Sequence, residues 1–436
     1  MFTPNVSRRK RVAALAGMGV LAVSLAACAG GGGSTAAAPT SFTFLAINEN
    51  TTVPAVLTSL SENECKAENT ALPLKINKQA QGTLDQQLQL LAGQNALPVA
   101  FTSPNSPDLT KKLFKAGHVV DFSTSDNTAI ADNIAPAAAS AVKALYDGKI
   151  MVLPTELNIE GIWYNKKLLA DNGVTVPTTW EELVSAFGTL NSAGVQPITD
   201  GGKAGDGWGV TRWVGAYLYR TLGPDALAKV ASGDAKLTDP DYVKAADAIA
   251  DLGKKGYFGK SATSVDYATA LNTFLTGKAA FYYQGSWAVS DFNNTEENKI
   301  GADNIGFMPF PTVAGGSGSA DDTPANVGVD VSISADAYKD SKVQDWVKCI
   351  SANYGTVALR DNTQITGFNA DESIEVPALT KLVQDQIAAT TTSVQWFEAL
   401  FPAAATTASQ NNGGLLGSGQ LSGSDFMSTV SASLTQ

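Results

Sequence analysis

Histidine is nearly absent from this 436-residue chain, with His118 the only one. A histidine-based zinc site, a Ser-His-Asp triad or a Cys-His pair has at most one imidazole to draw on, so metal chemistry and triad hydrolysis are poor readings. No metal or cofactor is expected. Cysteine is almost as scarce: Cys28, Cys65 and Cys349. Basic charge is in deficit, since 30 Lys and Arg face 41 Asp and Glu for a net charge of −11. Residues 1–27 hold four of the basic residues and no acid, so the remainder stands near −15. An acidic body with no basic run argues against nucleic acid. No stretch of eighteen apolar residues follows the first thirty, which argues against a membrane channel. No repeat of 20–50 residues appears, which disfavours a solenoid.

What is present begins with processing signals. Arg8, Arg9, Lys10 and Arg11 precede an uncharged run, Val12 to Leu25, too short for a comfortable span of roughly 20 residues. It ends in Leu25-Ala26-Ala27-Cys28, which resembles a bacterial lipobox. Residues 1–27 are therefore expected to be a lipoprotein signal peptide, with Cys28 lipidated as the mature N-terminus. The Arg8-Arg9 pair also resembles a twin-arginine signal, but the residues after it fit poorly. Residues 28–40 are Gly-, Ser-, Ala- and Pro-rich, bury nothing and read as a flexible tether. Anchor and tether place the body on the outer face of the cell membrane.

That body is about 400 residues long, more than one hydrophobic core holds, and implies two domains. It alternates strand and helix, which signals α/β layers with a largely parallel sheet. Strands are expected at Ser41–Asn48, Leu74–Lys78, Val99–Phe101, Lys149–Leu153 and Val327–Ile333. Helices are expected at Val53–Cys65, around Leu84–Ala92 and at Ile130–Tyr146. Thr179 followed by Glu182 forms a capping box at a helix start. Asn411 to Ser424 is Gly/Ser/Asn-rich and reads as a surface loop. Cys65 and Cys349 fall on two predicted helices; they are either a disulfide or two separately buried thiols.

Four segments carry a family resemblance: Ile162-Trp-Tyr-Asn-Lys-Lys-Leu-Leu169; Pro177 to Leu183; Phe274 through Gly277-Lys-Ala-Ala280 to Gly285-Ser-Trp287; and Ile305 to Pro311 with the Gly-rich loop after it. In this order, behind a lipobox, they resemble the family-1 extracellular solute-binding proteins of ABC importers, the family that includes maltose-binding protein. The resemblance spans roughly residues 41–400. It implies the two-lobed periplasmic-binding-protein fold (type II), a mixed, mostly parallel sheet flanked by helices in each lobe. Residues 41–153 plus 326–368 would form lobe one and 154–311 plus 374–436 lobe two, with a hinge near 153–158, 311–326 and 368–373. It also implies a monomer that hands a carbohydrate, an oligosaccharide, to membrane permease subunits powered by a separate ATPase.

A sugar site needs flat aromatic rings for pyranose faces and planar polar groups for desolvated hydroxyls. Trp163 in an apolar strand, Trp180 at a capped helix start and Trp346 on an apolar helical face are expected in the core. Trp287, where a strand turns into a helix after Gly285-Ser286, matches the family's cleft tryptophan and is the foremost stacking candidate. Trp208 and Trp213 lie in a Gly-rich stretch entering a helix, and Trp396 before Phe401-Pro402 resembles the family's far-cleft aromatic patch. Polar candidates are Asn48, Glu49 and Asn50 after the first strand, Ser103 and Asn105 after the third, Glu156 and Asn158 at the hinge crossing, and Arg212 and Asp330. This chain departs from maltose-binding protein at several of these positions, so the identity of the sugar does not carry over.

Two other classes compete. An exported glycosidase would use two acids near aromatics, but no pair is marked by position. A membrane-anchored sensor, or a binder of another solute, would share the fold. Gly253 to Ser261 nearly matches a phosphate loop, but the first glycine is one position too early and no apolar strand precedes it.

Overall fold

The computed structural model describes residues 38–390 and 392–435. Cys28, the signal peptide and the tether as far as residue 37 lie outside them.

Phe42, Phe44, Ala46 and Ile47 are buried along the first strand, β1 (Phe42–Ile47), and apolar burial on both faces suits a parallel sheet. β1 pairs in parallel with β2 (Leu74–Gln79) and β3 (Ala100–Thr102). The second sheet centres on β4 (Asn158–Asn165), with β5 (Gln196–Ile198), β6 (Ala279–Gly285), β7 (Ile305–Met308), β8 (Asp322–Asn326) and, much later, β10 (Thr392–Val394). β4 runs antiparallel to β6, β7 and β8, whereas β5–β6 and β8–β10 are parallel. β9 (Val331–Ile333) returns to the first sheet antiparallel to β3, giving the order β2-β1-β3-β9.

The apolar side chains follow these sheets. One core draws on residues between 42 and 153 and between 327 and 368. The others draw on residues between 159 and 310 and between 379 and 430. The chain therefore passes between the halves three times. In the first half Cys65 and Cys349 are joined by a disulfide (S–S 2.10 Å), tying the start of helix Lys66–Ala71 to helix Ser341–Asn362. Trp346 of that long helix is fully buried, donates to the Leu72 carbonyl at 2.8 Å and packs on Phe42. In the second half Trp163 donates to the Gln284 carbonyl at 3.0 Å, and Trp180 stacks on Phe310. Thr179 and Glu182 close their capping box at the start of helix Trp180–Ser192.

Several elements differ from their sequence expectation. Ile130–Tyr146 is two helices, Thr128–Ala131 and Pro136–Leu145. Pro136 starts the second, and its ring holds Ala135 in an extended conformation that no helix continues through. Lys149–Leu153 forms no strand; a single bridge, Leu153 to Val331, replaces the ladder. Val327–Ile333 is strand only from Val331, because Gly328 adopts φ +60° and a Cβ there would collide with Glu156 and Asn158. Asn411–Ser424 is not a surface loop. Its first part ends helix Ala403–Gly417, where a Cβ on Gly413 would strike the Gly207 carbonyl and one on Gly414 the Gly202 carbonyl. Those glycines permit a close helix approach, a role composition alone presents as flexibility.

Candidate functional site

Between the two halves lies a cavity of about 900 Å³, within the range of small-molecule sites. The first half contributes the loops at the C-terminal ends of β1 and β3; the second contributes one face of helix Trp208–Leu222, the start of helix Tyr267–Leu275 and the turn after β6. Glu156 and residues 326–330 of the crossing segments form part of the wall. The halves also touch beside it: Ser106 donates to the Phe401 carbonyl at 3.0 Å. A Cβ on Gly82 would lie 3.5 Å from the Gly205 Cα.

Aromatic rings cluster on the second half. Trp208 stacks on Tyr267 with centroids 5.9 Å apart, and Trp287 meets Trp208 edge-on at 5.9 Å. Arg212, one helical turn beyond Trp208, places its guanidinium 5.6 Å from the Trp208 ring centroid and 5.7 Å from that of Trp396. Two buried carboxylates hold it from behind: Nε lies 3.0 Å from Glu160 Oε2, without hydrogen-bond alignment, and Nη1 donates to Glu398 Oε2 at 2.8 Å. Glu160 accepts from Asn326 at 2.6 Å, and Glu398 from Ser409 at 2.7 Å and from Thr211. Burial pushes the Glu160 carboxyl up, and Arg212 opposes that shift.

The wall also holds carboxylates with no cation beside them. Glu156, almost fully buried, accepts from Asn50 at 2.7 Å, Asn158 at 3.0 Å and the Val329 amide at 3.2 Å, while burial raises its pKa. Asp330 is pushed up to about 7 by burial, with Glu156 adding to the rise and Ser103 opposing it. Asp291 is raised to about 7, by burial and then by Glu297. Besides Arg212 Nε, two donors on the wall have no hydrogen-bond partner among the described residues: Trp208 Nε1, 9% exposed as a residue, and Thr102 Oγ1, 4% exposed. An unmade buried bond costs about 1–3 kcal/mol, so both mark places where a ligand acceptor gains.

Of the residues singled out from the sequence, Trp287, Trp208, Trp396, Asn48, Glu49, Asn50, Ser103, Asn105, Glu156, Arg212 and Asp330 all line this cavity. Two do not. Trp213 is fully buried behind the wall, donating to Asp200 at 2.7 Å and packing edge-on against Phe187, because it points from the opposite side of its helix to Trp208 and Arg212. Asn158 is buried behind Glu156, donating to it and accepting from Ser286 at 3.1 Å, so it positions the carboxylate. Asn105 is largely spent on the helix Gln81–Gly93, bonded to Asp85 and Gln81. Sequence reasoning missed Tyr146, Lys203, Asp206, Tyr267 and Asp291 on the wall. Tyr267 carried a signal: Asp266 caps its helix through the Thr269 amide at 3.0 Å, directing the helix start into the cavity.

Two α/β halves joined by three crossings around a wall-lined cavity define a two-lobed solute-binding fold. The profile of the bacterial extracellular solute-binding proteins matches residues 50–353, and this chain belongs to that family. Similar curated relatives include the multiple sugar-binding protein of Streptococcus mutans, 24% identical over 54% of this chain and 56% of its own length. A probable sugar-binding periplasmic protein of Rhizobium meliloti is 26% identical over 42% of this chain and 43% of its own length. The matched stretches thus span about half of those relatives. Among solved structures, a chitin oligosaccharide binding protein superposes with TM-score 0.78 at 24% identity, over 90% of this chain and 98% of its own. A raffinose-bound binding protein superposes with TM-score 0.68 at 20% identity, over 90% and 98%.

Proposed function

We propose that this chain captures a carbohydrate, an oligosaccharide, between its two lobes and delivers it to the permease of an ABC importer without altering it. The observation that carries this reading is the wall of Trp208, Tyr267, Trp287 and Trp396 set among hydrogen-bonding side chains from both halves. Rings cover the C–H faces of pyranoses and polar groups take the hydroxyls that leave water. The sugar-binding relatives support the same reading.

The lobes pivot about the crossings near 153–158, 311–326 and 368–373. A sugar touching both lobes shifts the population toward the closed form by its differential affinity, and the permease reads that form. Cys28, as a lipidated N-terminus, holds the monomer at the outer membrane face through the tether.

A thermal-shift screen of residues 40–436 against mono- and oligosaccharides tests the reading. Free ligand at about 100 times its Kd adds roughly 2.7 kcal/mol and raises Tm by a few degrees. A shift with the sugar recovered intact is the expected result. Silence across the sugars overturns the carbohydrate reading in favour of another solute or a sensor, and a consumed sugar overturns the binding-only reading. Acyl labelling that a Cys28→Ala chain loses would confirm the anchor.

A further inference from the structure

The cavity wall carries eight carboxylates against three cations, Lys203, Arg212 and Lys299. Two of the three are paired with carboxylates. Arg212 is held between Glu160 and Glu398, Lys203 stands 3.6 Å from Asp266, and Lys299 bonds the Glu296 carbonyl. Glu49, Glu156, Asp206 and Asp330 are instead satisfied by neutral donors: Glu49 by the Gln81 amide at 3.0 Å and Asp206 by the Tyr267 amide at 3.2 Å, with Glu156 and Asp330 bonded as described above. On the wall, among the described residues, Lys299 is thus a cation without a carboxylate partner, whereas Glu49, Glu156, Asp291 and Asp330 are carboxylates without a cation partner.

Two of the carboxylates, Glu49 and Asp206, line the cavity from opposite lobes. Glu49 lies in the loop after β1 and accepts from the Gln81 amide, whose neighbour Gly82 meets Gly205; Asp206 follows Gly205. Burial pushes the Asp206 carboxyl up, Glu49 and Asp266 add to the rise, and Lys203 opposes it, so negative charge outnumbers positive here. The unpartnered donors Trp208 Nε1 and Thr102 Oγ1 on the same wall mark where a ligand seats. On the reading of the cavity as a saccharide site, we infer that it takes an uncharged or amine-bearing saccharide and rejects an acidic one, with Glu49 and Asp206 as the discriminating pair. A carboxylated sugar would bring a further negative charge to them, where Lys203 is already shared between Asp206 and Asp266, and like charges so placed cost affinity. An ammonium there would be stabilised by both.

The test uses whichever of maltotriose, cellotriose, raffinose and triacetylchitotriose gives the largest melting shift, in three forms: unmodified, oxidised to the uronate at C6, and aminated at C6. Calorimetry at low salt should show the uronate at least about tenfold weaker than the parent, and the amine equal to it or tighter. In the double variant Glu49→Gln/Asp206→Asn the uronate-to-amine affinity ratio should narrow at least about threefold, whatever happens to absolute affinity. Equal binding of uronate and parent overturns the inference and leaves the carbohydrate reading intact; an unchanged ratio in the variant overturns the assignment to this pair. If none of the four trisaccharides binds, the sugar with the largest shift in the full screen of mono- and oligosaccharides takes their place; silence across that whole screen overturns the carbohydrate reading and this inference with it.

Discussion

Arg212→Met isolates what the buried charge cluster does. The guanidinium side chain is 12% exposed, and those of its partners Glu160 and Glu398 are 1% and 0% exposed. Removing one partner of such a cluster leaves charge buried without compensation, at about 3–5 kcal/mol. For a body of this size each kcal/mol moves Tm by roughly 1–2 °C, so differential scanning calorimetry at pH 7.5 should show a fall of about 3–10 °C. The deficit must depend on pH in one direction. Burial already holds the Glu160 carboxyl above its ordinary value and Arg212 counters this, so without Arg212 it rises further. A carboxyl whose folded pKa exceeds its unfolded one costs nothing below the unfolded value, and the cost grows as pH rises toward the folded value. The variant should therefore regain much of its Tm deficit near pH 5. Adding Glu160→Gln and Glu398→Gln should restore most of it at pH 7.5. A variant melting within 1 °C of the parent at pH 7.5, or a deficit equal at pH 5 and 7.5, would refute the argument.

Trp287→Ala should weaken the sugar found in the screen by about 2–4 kcal/mol, roughly 30- to 1,000-fold by calorimetry, because it removes a central ring and the edge contact that steadies Trp208. Trp213→Phe should lower Tm while leaving affinity within about twofold, since the ring lies behind the wall; a large affinity loss would return it to the site. Asp330→Asn should flatten the parent's decline in Tm between pH 4 and 7, the window between the unfolded aspartate value and the folded value of about 7; identical slopes would remove Asp330 as its cause. Gly414→Val should cost more than about 5 °C of Tm, as its side chain would occupy the space of the Gly202 carbonyl.

Most of the wall could be read from the chain because its residues sit where strands end, and strand ends are local features of sequence. The loops after β1 and β3 and the turn at Trp287 were visible on those grounds. Trp213 shows how position on an element outweighs position in a loop. The helix begins at Trp208, so Arg212 four residues on shares its face, while Trp213 is turned by about 140° into the core. Glu160 and Glu398 lie in apolar surroundings, and such a placement announces a buried partner without naming it. Their meeting at Arg212 joins β4, one helix and a segment nearly 190 residues downstream, which no local pattern encodes. The glycines of 411–424 misled for the reverse reason. Composition records that a residue is small, and only the facing backbone tells whether the space is open or filled.

The split of the first half across the chain has a consequence for how the molecule is made. A polypeptide threaded through a membrane from its N-terminus presents residues 42–153 first, yet the strand that completes their sheet, β9, arrives only with Val331. In the interval β3 has one side unpaired, an invitation to association with other chains. The segment from 159 to 310, by contrast, brings most of its own core with it. The disulfide joins residues 284 positions apart, so it cannot form before Cys349 has followed. The half that emerges first is thus among the last to be finished, and any factor that shields nascent chains outside the membrane has its client window set by the distance from Thr102 to Val331.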